Sequence, residues 1–355
     1  MDPSVLVPRP GGLMVEWGWF QFFQLLTFIG HLLFMNTLLG SAIMAFAEGM
    51  REGSSTPVGR HVSRKLPTTV ALTVNFGVAP LLFMQVLYGQ FFYVSDILMG
   101  PYWLAVVGLV ILAYYGSYIW DFRFDSLGGM RQVILGAVIV LLLGVAFLFT
   151  NNVSMMLTPA RWAQYFEAPG GTFLNFGEPT LVPRYLHFVV ASIAVGGLVQ
   201  GIYWSRKRRR SLPGAQATAA RGMNVFAYAT AVQIAVGSWW LVSMPRDVML
   251  TFMGGRPFNT AVFLIALALV ACCLIFGFRG RVVPAAVALV LTVMAMVGLR
   301  ELARVAYLEP FYKVAELPSS GQHSPLVMFI VSLCVGLGVI AYVLRLASEV
   351  RKEEA

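Results

Sequence analysis

The stretch VILGAVIVLLLGVAFLF, residues 133–149, contains no charged side chain. At 1.5 Å per residue, a helix of this length covers most of the roughly 30 Å hydrocarbon core of a bilayer. A second run, VVPAAVALVLTVMAMVGL at residues 282–299, reads the same way. Working outward from these two, apolar runs and their polar breaks give helices near 17–46, 68–92, 101–120, 132–150, 184–204, 223–244, 258–278, 282–306 and 324–346. The seventh and eighth are separated only by Arg279, Gly280 and Arg281, so eight spans is the alternative count. The fold class that follows is an all-α integral membrane protein of about nine transmembrane helices. Residues 1–355 read as a single transmembrane domain, with no internal repeat.

Composition agrees. Of 355 residues, 58% are hydrophobic and 12% charged, against roughly 25% charged in soluble domains. The net charge of +9 does not point to nucleic acid, because the basic residues sit mostly in short loops between apolar runs. With nine spans, the alternate set of loops that includes residues 205–222 and the C-terminus collects 17 of the 25 basic residues. The positive-inside rule then places those loops and the C-terminus in the cytoplasm and the N-terminus outside. The localisation expected is the cell inner membrane. The longest outer loop, 151–183, is aromatic and is expected to lie on the outer interface or to cover a site there. Residues 1–12 lack the charged start and apolar core of a secretory signal, so the N-terminus is expected to be retained.

Cys272, Cys273 and Cys334 fall within apolar runs and read as packing, and no Cys-x-x-Cys-His sequence exists to attach haem covalently. Nucleotide-binding glycine patterns, His and Cys zinc clusters and nucleophile triads are likewise missing from the sequence.

Only four histidines occur, so their placement is informative. His31 lies within the first helix, 17 residues before Glu48, or roughly 25 Å from the inner end. His187 opens the fifth helix, and His323 just precedes the ninth. An imidazole within lipid needs a hydrogen-bond partner or a metal, and a haem iron satisfies it while the porphyrin fills apolar volume. The plain alternative is an imidazole bonded to a neighbouring helix carbonyl or, for His323, a solvated helix start. His61, in a basic inner loop, is expected to be solvated. Met253, beside Met244 and Met249 near an outer loop, is a further candidate for an iron ligand, although most of the 17 methionines pack.

All 16 Asp and Glu residues map to loops, termini or the end turns of helices. This argues against a proton pump and against oxygen reduction within the membrane, since both need ionisable groups near the midplane. Arg184 lies one turn before His187, and Arg300 and Arg304 lie one turn apart on the eighth helix. Beside a haem they would pair with its propionates, Arg184 could instead hold a quinol oxygen, and snorkelling to lipid phosphate is the third option. Glu301 and Glu309 belong to the same outer cluster and are candidates for quinol protons.

The run Gly30-His31-Leu32-Leu33-Phe34, continued by Gly40-Ser41-Ala42-Ile43-Met44, resembles the first helix of subunit I of cytochrome bd quinol oxidases. Asn75-Phe76-Gly77 resembles that family's second helix, and Trp120-Asp121 the end of its third. The strongest match is Arg184-Tyr185-Leu186-His187-Phe188-Val189-Val190-Ala191-Ser192 with Gly196-Gly197. The resemblance implies that His31 ligates an active-site haem and His187 a low-spin haem, with Arg184 near the quinol site. Three departures bear on activity. The third helix carries no glutamate, the outer loop after the sixth helix is reduced to about Met244–Pro257, and Arg256-Pro257-Phe258-Asn259 offers no methionine ligand. Arg304 with Tyr307 resembles the Arg and Trp near the family's high-spin haem.

The expected function is a b-type haem subunit, with one to three haems, exchanging electrons between quinol or quinone and a periplasmic c-type cytochrome or iron-sulfur partner. The alternatives are a quinol-driven terminal oxidase subunit, and a haem-free transporter or scaffold.

Overall fold

The computed structural model describes residues 3–353, apart from 9, 54, 168 and 209–212. Arg209 and Arg210 of the basic loop therefore lie outside the described residues. Eleven α-helices follow one another: α1 (Trp17–Glu52), α2 (Pro57–Ser63), α3 (Leu66–Leu98), α4 (Gly100–Phe122), α5 (Met130–Met156), α6 (Leu181–Arg208), α7 (Ala215–Ser243), α8 (Arg246–Leu250), α9 (Pro257–Phe278), α10 (Val282–Leu308) and α11 (Ser324–Glu353). All but α2 and α8 are long and apolar enough to cross a membrane, giving nine spans among the described residues. The seventh and eighth spans are separate helices. Gly280 closes the turn between them at φ 63°, a left-handed conformation that glycine adopts without steric cost.

Local chemistry sets the boundaries. Thr56 caps α2 by accepting the Gly59 N–H at 3.0 Å, with Pro57 in the first turn. α3, α4 and α9 also carry proline in their first turn, where its missing N–H costs no helix bond. The apolar surface faces outward, as in Leu104, Val107 and Phe122 of α4. Lipid takes the place of a water-facing surface.

Small residues fix the packing. On α6, a Cβ at Gly196 would collide with the Gly40 backbone of α1, and one at Gly197 with Gly222 of α7. Next to the first crossing, Ser192 Oγ donates to Asn36 Oδ1 at 2.7 Å. In a bilayer, close van der Waals approach and such bonds must replace the hydrophobic drive between helices. Below this level, Glu48 and Glu52 at the end of α1 pair with Arg221 of α7.

The loop between the fourth and fifth spans is shorter than the sequence implies, because α5 runs on to Met156 and α6 starts at Leu181. Between them a 3-10 segment, Pro159–Glu167, buries Trp162. Asn175 closes the loop from within. Its N–H donates to Asn151 Oδ1 at 2.8 Å and its Nδ2 to Ser154 Oγ at 2.7 Å. The Phe173 N–H donates to the Leu98 carbonyl at 2.9 Å, so the loop caps the ends of α3 and α5.

His61 departs from expectation. α2 folds back so that its imidazole stacks on Tyr203 of α6, ring centroids 3.4 Å apart. Burial, then Lys65 and Lys207, push its pKa down to about 4.

Candidate functional site

His31 is set at the α1–α3 interface by a glycine and a carbonyl. A Cβ on Gly77 would lie 2.9 Å from the imidazole, so only glycine leaves room for the ring. His31 Nδ1 lies 3.0 Å from the Thr73 carbonyl oxygen. A carbonyl only accepts, so Nδ1 carries the proton and Nε2 keeps its lone pair. This is the tautomer that a metal-ligating histidine requires. Phe28 packs against the ring at 6.1 Å, and the Arg300 guanidinium lies 4.4 Å over Phe28.

His187 is likewise seated against a glycine, between α6 and α7. A Cβ on Gly237 would lie 3.3 Å from its ring. Its carbonyl accepts from Gln233 Nε2 at 2.8 Å, while its buried Nδ1 has no partner among the described residues. Trp240 stands 5.3 Å away, ring to ring.

Both histidines precede a crossing glycine by nine residues, Gly40 for His31 and Gly196 for His187. α1 and α6 are the first and fifth spans and so run in the same direction. The two imidazoles therefore share one depth, about 13.5 Å along each helix from the crossing.

Three arginines gather around this level. Arg184 is 4% exposed and Arg304 2%. Arg184, Arg300 and Arg304 lie within electrostatic reach of one another. Glu301 does not sit in an end turn. It is 5% exposed, two turns before the end of α10, where Tyr88 Oη donates to it at 2.7 Å and Arg304 forms an ion pair with it. Those two partners are what make a buried carboxylate tolerable. Tyr88 reaches it from a break in α3, where its own backbone is non-helical at φ −132°. Beside the break, Tyr312 Oη donates to the Leu87 carbonyl at 2.7 Å. Burial pushes that phenol up to about 12, so it remains a donor.

The other predicted site residues stand apart. Glu309 is at the surface, ion-paired with Arg256, on a pocket of about 380 Å³ that Asp247, Thr251 and Lys313 also line. Met253 is 58% exposed in the π-helical turn Thr251–Gly255, and exposed His323 lies 3.7 Å from Glu16. Neither is brought to the buried histidines. Thr73, Gly77, Tyr88, Gly237 and Trp240 escape a reading of the sequence. Only Gly77, within Asn75-Phe76-Gly77, carried a signal there.

The residues fit a haem. Each histidine is seated against a glycine, His31 keeps the Nε2 lone pair, and of the three arginines Arg304 and Arg300 lie near the buried carboxylate Glu301 while Arg184 has Glu178 in reach. That excess of buried positive charge calls for anionic groups, such as the two carboxylates of a porphyrin. Groups of three or more His, Cys, Asp or Glu that would hold a bare metal ion are missing among the described residues.

No family model matches the sequence, and no curated protein matches it. A solved structure does. Over 96% of this chain and 96% of its own, a chain of the bd oxidase from Geobacillus thermodenitrificans superposes with a TM-score of 0.68 at 14% identity. The fold is that of a bd oxidase chain. The nine helices among the described residues that are long and apolar enough to cross a membrane make this a multi-pass membrane protein.

Proposed function

We propose that this chain is a b-type haem subunit that exchanges electrons between membrane quinol and a redox partner at the outer face. The observation that carries the reading is the pair of glycine-seated histidines, His31 and His187, at one depth beside three arginines. Haem bound there would supply a one-electron couple. His31, oriented by the Thr73 carbonyl, would hold one iron through Nε2, and His187 the other. The arginines would balance the acidic substituents.

For the quinol, the pocket at Glu309 and Arg256 is the better placed surface. Arg256 orients a quinol oxygen, and exposed Glu309 takes a proton that can pass to the outer aqueous side. Glu301, enclosed by Tyr88 and Arg304, has no such outlet and acts as a charge balance. With the basic helix ends in the cytoplasm, both histidine sites would lie towards the outer face, and a c-type cytochrome or iron-sulfur protein there is the proposed partner.

A second reading, a quinol-driven terminal oxidase, gains from the fold and from Glu301, an ionisable group inside the membrane where the sequence suggested none. A reduced-minus-oxidised spectrum of the detergent-extracted chain tests haem binding. It should show b-type bands, and His187→Ala and His31→Ala should each remove one component. An unchanged spectrum in either variant rejects that histidine as a ligand. Oxygen uptake with reduced quinol separates the two readings: rapid uptake by the isolated chain favours the oxidase.

A further inference from the structure

Arg184 and Trp240 are left incomplete by the fold. The Arg184 side chain is buried, yet its Nε and Nη1 have no hydrogen-bond partner among the described residues, and neither has the buried Trp240 Nε1. An indole N–H is a donor only, and a guanidinium likewise. Unmet buried donors are costly, and here they occur together, with the Arg184 guanidinium 5.4 Å over the Trp240 ring. Position completes the picture. Arg184 lies three residues before His187 on α6, and Trp240 three residues after Gly237, the residue that faces His187 from antiparallel α7. Both donors thus stand about 4.5 Å beyond the imidazole towards the outer end.

We propose that Arg184 and Trp240 form a buried two-donor site for one carboxylate of the porphyrin held by His187. The inference rests on haem occupying the His187 site. It also settles which role Arg184 takes. A guanidinium enclosed over an indole serves the cofactor's acid group, and the quinol is left to the exposed pocket at Glu309. Trp240 is a positioning residue, since it acts on the carboxylate and not on the iron.

The test uses the full-length chain in detergent, as wild type and as W240F, which keeps the ring under Arg184 and removes only the N–H. Haem transfer to excess apomyoglobin and the midpoint potential of the low-spin component are measured. A hydrogen bond to a charged group contributes about 1.5–3 kcal/mol, so W240F should release haem about tenfold faster or more. Its absorption maxima should stay in place, because His187 still ligates. Its potential should fall, because a carboxylate with one donor fewer favours ferric iron. Wild-type release rate and potential in W240F overturn the assignment while leaving the haem reading intact. Faster release accompanied by displaced maxima would make Trp240 a packing residue and also overturn it. A wild-type chain that carries no haem overturns both.

Discussion

His61 shows how one side chain's surroundings reach the whole chain's behaviour. Its ordinary pKa of 6.5 falls to about 4 in the folded protein, through burial and then Lys65 and Lys207. Between those values the unfolded chain binds a proton that the folded chain refuses, so stability falls as pH drops through this window. Above it both states are neutral and the contribution is flat. Below it both are charged and the loss is complete. The thermal midpoint of the wild type in detergent should therefore decline from about pH 6.5 to about pH 4. His61→Phe, which retains a ring on Tyr203, should show a shallower decline, and equal slopes in the two proteins would show that His61 does not carry the effect. Sequence placed this histidine in a solvated loop. The loop is in fact a helix, and its partner lies 142 positions away on α6.

At the level of helices, the α1–α6 crossing governs the distance between the histidines. A methyl group at Gly40 would meet the Ser192 carbonyl and the Gly196 backbone, neither of which is a flexible side-chain end. Gly40→Ala should therefore cost about 3 kcal/mol, the upper end for overpacking, read as a lowered unfolding midpoint with the chain still inserted. If Gly40→Ala unfolds like the wild type, the close approach of these helices is not what holds them together. The resemblance of residues 30–44 and 184–192 to one family made the two histidine helices legible in sequence. Nothing in those letters says that Gly40 meets Gly196, or that both imidazoles then fall at one depth.

Across the molecule, the charge distribution gives the orientation. The helix ends carrying Arg60, Lys65, Arg123, Lys207 and Arg279 share one side of the bundle, and the His31 and His187 sites lie towards the other. The proposed orientation puts the basic side in the cytoplasm. In a chain stripped of its native cysteines, a cysteine placed near Lys207 should react with a membrane-impermeant reagent only in inside-out vesicles, and one at Phe166 only in right-side-out vesicles. The reverse pattern would invert the protein and place the His31 and His187 sites on the cytoplasmic side.

The spans were open to sequence alone because bilayer thickness imposes one length and one polarity on every crossing helix, whatever it packs against. Scarcity did the same for His31 and His187, since a histidine within an apolar run must be satisfied by something. What satisfies it was not open. Thr73 is 42 residues from His31 in the chain, and Tyr88 is 213 from Glu301. Trp240 lies on a different helix from Arg184. Glu301 looked like an end-turn acid because one of the groups that satisfies it, the Tyr88 hydroxyl, comes from the distant helix α3. Such pairings arise only when helices far apart in sequence are packed side by side, and local letters do not encode that arrangement.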